Sequence, residues 1–349
     1  MRHGRDAKRT SRLPRWLYCG AALALLTGCQ PEGPAAPFAN YLSRLSMALS
    51  VEIRDIKPTA RLLPPSVAGV QLDVPTGSLD ALDFLSLSDC AVQANINKRA
   101  TSLGRGAKPS QRLLLTLEYL RQTPACIARL RNGNNGVLAD TLHTAWRQHQ
   151  EQLPALIFNA TLGSDEYRAF WLEDPVSGGY PRVRHRDSVT ALRAINHHVR
   201  RWLHGDYQAR NREFELLLAE VAGGEGGLLL QLLSRQGDYL ATADRILRLH
   251  VAANSRCPST PPTATTTNPA MRIHKIFASR LMPLAASVGQ RYNDLQTSIS
   301  ALEAQLPSTL PTRYRRWVEL RNRRAAQGAR APGRHIKQIA LLHLRCATE

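Results

Sequence analysis

The chain has 349 residues, 43% of them hydrophobic, which excludes a disordered tail and allows one large domain or two ordinary ones. Aromatics make up only 6%, so Leu and Ala must carry the packing, a composition that favours helices over sheets. The 46 basic and 27 acidic residues give a net charge of +19, an excess that attracts phospholipid head groups, acidic glycans or nucleic acid.

Residues 1–15 are basic and polar, and Trp16 to Leu26 form a short apolar run, WLYCGAALALL. That run suits the core of a secretion signal and is too short to cross a ~30 Å bilayer interior as a helix. It ends in Leu26-Thr27-Gly28-Cys29, which resembles the lipobox of bacterial lipoproteins. The resemblance implies cleavage between Gly28 and Cys29, with a diacylglyceryl group on the Cys29 sulfur. Residue 30 is Gln, where Asp is the usual inner-membrane retention signal, so the same rule implies the periplasmic face of the outer membrane. Export leaves nucleic acid the least favoured anionic partner. The segment before Cys29 holds six basic residues and one acidic, so the remainder keeps a charge of about +14.

Residues 29–37 read as a Pro/Ala/Gly-rich tether and 38–349 as a single, mostly helical domain. Phe38 to Ser50 has helical spacing. Residues 51–77 carry four prolines and read as an irregular segment wrapping the body, with 67–74 a short strand or extended arm. Helical patterns then cover 79–103, 110–131, 136–151, 163–172, 187–221 (with a possible break at Gly205), 226–254, 269–304, 312–326 and 333–345. The Thr/Pro-rich stretch 255–269 is either a domain boundary or a long loop between antiparallel helices, and loop-length statistics favour the loop.

Without Cys19 and Cys29, four cysteines remain: Cys90, Cys126, Cys257 and Cys346. An even number in an exported chain suggests disulfides. Cys90 and Cys126 are equidistant from position 108, in the turn between two predicted helices. An antiparallel hairpin brings them to one height, leaving Cys257 with Cys346. Buried free thiols are the alternative. A zinc site is disfavoured because no CxxC or close Cys/His pair occurs.

The search for chemistry is thin. His197, His198 and His204 read as surface or packing histidines, since no third ligand stands at metal spacing. Glycines at 104–106 and 223–227 read as a turn and a flexible connection. Asp165, Glu166, Glu173 and Asp174 near Trp171 faintly suggest a glycan cleft. No catalytic residue, metal site or cofactor is expected. The strongest feature is basic: Arg313, Arg315, Arg316, Arg321, Arg323 and Arg324 form a candidate patch for an anionic partner, with Tyr314 and Trp317 interleaved and Arg330, Arg334, Lys337 and Arg345 following. The other reading is a solvated helix face with Trp317 in the core.

The run from Asp83 to Leu130, with Cys90, NKRATSLGR at 97–105, PSQR at 109–112 and Cys126, resembles the bacterial lipoprotein family catalogued as domain of unknown function 3080. Cys257-Pro258 before a long helix fits as well. The resemblance implies an envelope location and supplies no activity or cofactor. The expected protein is therefore a membrane-anchored envelope lipoprotein with an all-α, disulfide-stapled domain. Its leading role is non-enzymatic binding or scaffolding of an anionic lipid, glycan or envelope protein. The alternatives are an enzyme on cell-wall or lipid substrates, and a lipid or small-ligand carrier.

Overall fold

The computed structural model describes residues 35–53, 59–75, 87, 89–172, 185–253 and 269–344. Among these there are helices and no strand, as the Leu/Ala-rich, aromatic-poor composition predicts. Gly28, Cys29, Cys257 and Cys346 lie outside the described residues.

Helix α1 (Ala36–Leu49) begins with Pro37 in its first turn, where a missing N–H costs nothing. It buries Phe38, Tyr41, Leu42, Leu45 and Leu49 along one face. The wrapping segment contains a single-turn α2 (Val67–Val70), not a strand, and then runs extended. The Asn159 side chain both donates to and accepts from the Leu72 backbone (2.8 and 2.9 Å), supplying the pairing a neighbouring strand would have given. Upstream, Asp238 accepts from both the backbone and the hydroxyl of Thr59.

Helices α3 (Ala91–Ala100), α4 (Ser102–Arg105) and α5 (Pro109–Asn132) form the expected hairpin. Its first arm is shorter than the predicted 79–103: α3 begins at Ala91 with Cys90 as its extended cap residue, and Thr101 (ψ 161°) interrupts the helix again. The Thr101 hydroxyl then caps α4 by accepting from the Gly104 N–H. Cys90 and Cys126 are bonded, with Cα atoms 5.5 Å apart. Asn95 donates to the Leu115 carbonyl and to Glu118, fixing the antiparallel alignment.

Helix α6 (Gly136–Ala160) folds back on α5, passing the point before Pro154 where the pattern suggested an end. Then follow α7 (Asp165–Leu172), α8 (His185–Leu203) and α9 (Asn211–Ala222); Gly205, at φ 91°, ends the turn between the last two. The remaining elements are α10 (Gly226–Ala253), α11 (Pro269–Ile276), a π-turn at Phe277–Leu281, α12 (Met282–Ala304) and α13 (Thr312–Leu344). The continuous stretch Asn211–Ala253 is apolar enough to cross a membrane by composition, but most of its apolar window is buried inside the protein, as in a core helix.

Helix α13 overturns the predicted division at 326–333, for it runs unbroken through Pro332. A proline inside a helix frees the carbonyl four residues earlier. Here that carbonyl belongs to Gly328, and Gln236 on α10 donates to it at 2.8 Å. The same device recurs in α5. Pro124 frees the Leu120 carbonyl, and the Trp146 indole N–H of α6 donates to it at 3.0 Å. In each case a neighbouring helix supplies the missing hydrogen bond, so the helix continues.

Gly328 also sets the approach of α10 and α13. A Cβ there would stand 2.1 Å from the Leu233 carbonyl oxygen, which is backbone and cannot swing away. The contacts Gln236 with Gly328 and Asp244 with His335 show the two helices running parallel. The glycines at 223–227 likewise correct the expected flexible connection. A Cβ on Gly226 would fall 2.2 Å from the Phe170 ring, and one on Gly227 2.2 Å from the Trp171 carbonyl. Gly328→Ala is expected to destabilise the fold by at least the upper part of the usual overpacking range of about 1–3 kcal/mol. Gly289→Ala, which meets nothing within 4 Å, is expected to be neutral or stabilising. Urea unfolding midpoints of the two variants check this.

Candidate anion-binding face on the last helix

The inner side of α13 is a seam spaced by sevens. Tyr314, Arg321, Gly328 and His335 are all buried and lie on one line, since seven residues is close to two turns. Arg321, placed by sequence in the candidate patch, belongs to this seam and is 0% exposed. That correction has a physical reason. Its guanidinium forks onto both oxygens of Glu303 in α12 (2.9 and 3.1 Å). Its flat faces lie 5.3 Å from the Trp171 ring and 5.1 Å from Trp317. Tyr314 donates to Glu303 (2.9 Å) and touches the Tyr167 hydroxyl (3.2 Å). Burial pushes both tyrosines well above the usual phenol range, so they remain protonated donors.

Trp317 is buried in this cluster, as one sequence reading held, and Trp171 is buried too. Among the described residues Trp171 therefore lines no open glycan cleft; Glu173 and Asp174 lie outside the described residues. Arg324 is also engaged, donating to the Ala60 carbonyl of the wrapping segment.

The outer side of α13 is different. Arg316, Arg323, Arg330 and Lys337 are exposed and again spaced by sevens. At 1.5 Å per residue they span ~32 Å, and each lies two residues, or ~200° around the axis, from a seam residue. They form a line of cations on the face opposite the core. Arg313, Arg315 and Arg334 are exposed beside it. Among the described residues none of these seven is in an ion pair, and Glu319 is the only acidic residue of α13. Arg330 and Lys337 belong to the basic stretch read from sequence but not to its six-arginine patch; the predicted helices end at 326 and resume at 333, which hides the continuity of the line.

Two further buried clusters had no sequence signal, because their members come from distant parts of the chain. Asp244 accepts from His335 Nδ1 (2.6 Å), and His335 Nε2 meets the Tyr41 hydroxyl (2.6 Å). All three are buried, with Phe277 against the imidazole, so they clamp α1 to α10 and α13. In the hairpin, Arg99 donates to His149 Nε2 (3.2 Å). Arginine has no acceptor, so this His149 nitrogen must be unprotonated. Burial first, and the Arg99 charge second, push His149 down to about 4.

The histidines noted from sequence do not converge. His198 faces Glu213 (3.4 Å) and stacks on Trp202, and His204 Nδ1 lies 2.7 Å from the Arg200 carbonyl. Among the described residues no group of three or more His, Cys, Asp or Glu could hold a metal. One open groove of about 470 Å³ lies between α5, α6 and the loop after α8, lined by Arg121, Trp146, Gln150, Asp206 and Tyr207 among others. Its Trp146 ring is fixed by the bond to Leu120, and Gln150 donates to the Tyr207 hydroxyl at 2.8 Å.

The family model described as Protein of unknown function (DUF3080) matches residues 38–346. The chain belongs to this family, in keeping with the resemblance carried by Cys90, Cys126 and the segment between them. No curated protein and no solved structure matches it.

Three outcomes follow from this geometry. Arg321→Met leaves the Glu303 carboxylate buried without its partner and is expected to cost about 3–5 kcal/mol. Reversing Arg316 or Arg323 singly is expected to change stability by less than about 0.5 kcal/mol, read by the same unfolding titration. For His149, the unfolded imidazole binds a proton below its ordinary 6.5 while the folded one stays neutral until about 4. Between those values the unfolded state holds more protons, so stability is full above pH 6.5 and falls as the pH is lowered. At about 1.4 kcal/mol per pKa unit the loss is ~3 kcal/mol by pH 4. It is checked as the difference between wild type and His149→Gln in unfolding free energy against pH.

Proposed function

We propose that this protein is an exported, lipid-anchored envelope protein that binds or scaffolds a polyanionic partner through the outer face of α13. The observation that carries the binding role is the ~32 Å line of Arg316, Arg323, Arg330 and Lys337, none of which is in an ion pair among the described residues. The basic leader, short apolar run and Leu26-Thr27-Gly28-Cys29 support the anchor, with Cys29 as the lipid-bearing residue at the periplasmic face of the outer membrane. The Cys90–Cys126 bond fits an oxidising compartment. A second reading, glycan binding, is favoured by one observation: the 470 Å³ groove pairs a fixed indole face with Arg121, Gln150 and Asp206.

In-cell crosslinking and fatty-acid labelling test this together. Wild type is expected to incorporate label and to capture an anionic component. Cys29→Ala is expected to lose the label. Arg316→Glu/Arg323→Glu/Arg330→Glu/Lys337→Glu is expected to keep the label and lose the capture. Label on Cys29→Ala equal to wild type overturns the anchor, and capture unaffected by charge reversal overturns the binding face.

A further inference from the structure

The position of the anchor relative to the cation line says which anion that line meets. Helix α1 is the first described element after Cys29, and Tyr41 on it is bonded to His335 on α13. The Leu49 carbonyl of α1 lies 3.3 Å from His250 of α10, while Tyr41 and Asp244 share His335. Both α1 and α10 therefore advance in the same direction as α13. Ala35 precedes Tyr41 by six residues, or ~9 Å of helix, so the chain enters the domain at about the level of Arg330, within the span of the line and not beyond either end. Six residues separate Cys29 from Ala35, and a fully extended chain of that length reaches only ~20 Å.

We infer that the α13 cation line lies on the anionic phospholipid surface that also holds the Cys29 acyl chains, so that the protein is fixed flat on the membrane by its lipid and its arginines together. This rests on the lipid-anchored reading above. The tether is too short to let the domain stand far from the bilayer, and the line is straight and unpaired, as a planar array of head-group phosphates requires. Arg guanidinium groups suit that role because they take phosphate oxygens in two-pronged fashion. Helix α1 packs on the seam side of α13, so the tether has to cover the ~15 Å from the α1 axis to the outer surface of α13, a distance within its ~20 Å reach. With both attachments in one membrane plane, the rigid body has a single resting orientation. Exposed Leu320 and Leu341 on the same helix add apolar contacts at the interface.

Each basic residue near an anionic membrane strengthens attachment roughly fivefold, so four are expected to contribute several hundredfold, lost as salt is raised. The test is an arginine-modification footprint, read by mass spectrometry, on the full lipidated protein in vesicles. One set is phosphatidylcholine alone and the other contains phosphatidylglycerol. The mass of the N-terminal peptide is read from the same sample. Support is protection of Arg316, Arg323 and Arg330 in the phosphatidylglycerol vesicles only, lost in 1 M salt, with Arg121 on the groove unprotected throughout. A lipid-modified Cys29 peptide with these arginines equally reactive in both vesicles overturns this inference and leaves the anchor standing. A Cys29 peptide without lipid overturns the anchor and this inference with it. Protection by soluble heparin or a copurifying acidic protein, with none from vesicles, assigns the face to a dissolved polyanion and overturns it as well. The fourfold Glu variant alters only exposed side chains, so it is expected to fold, to carry the lipid and to lose the vesicle-dependent chemical shielding of the neighbouring Arg313 and Arg315.

Discussion

The buried ion pair of Arg321 and Glu303 sets the terms on which α7, α12 and α13 pack. An arginine with no exposure is tolerable only when every donor and both faces are engaged. Glu303, the Tyr167 hydroxyl, the Asn322 side-chain oxygen and the two indole rings meet that demand, and they come from α7, α12 and α13. Satisfying one charge thus fixes three helices at once. Tyr314 completes the carboxylate's shell, and Trp171 is in turn held by the close backbone approach of Gly227. Hydrophobic packing alone would bring these helices together; the ion pair decides how they are rotated about their axes.

What the sequence made legible divides along a clear line. Properties with a local period were readable: the amphipathic stripe of α1, the hairpin that aligns Cys90 with Cys126, and the end of α8 at Gly205. Properties set by a partner across the fold were not. The stretch between 326 and 333 reads as a division because the sequence does not display Gln236 waiting for the Gly328 carbonyl that Pro332 frees. Arg321 reads as surface because one arginine in a run of them looks like its neighbours, and only the seven-residue spacing from Tyr314 and His335 separates the seam from the line opposite. The glycines at 223–227 read as slack because the rings they pack beneath lie fifty residues upstream. In each case the missing information is the identity of a contact at long sequence separation.

The candidate site inherits this structure. An exposed row of cations repels itself and gains nothing from the fold, so its straightness must come from elsewhere. It comes from the seam: each inward residue spaced by seven forces its outward counterpart onto the opposite line. The core side and the cation line of α13 are therefore two readings of one periodicity. The clamp of Tyr41 on His335 ties the first described helix to α13, so the start of the described domain and its most basic surface are mechanically one piece.

Gly328 and the carbonyl it exposes have one more consequence, for the uniqueness of the packing. Two parallel apolar helices can usually slide past each other by a turn and find another workable fit. Here a slip of one turn would present Arg324 or Pro332 to the Leu233 carbonyl, where only a hydrogen in place of a side chain fits. The same slip would take from the Gln236 amide the acceptor it uses and leave the Gly328 carbonyl without its donor. The notch and the orphan oxygen occur in one residue, so they act as an index mark: α10 and α13 have one allowed alignment, and the spacing of every charge on the outer surface is counted from it.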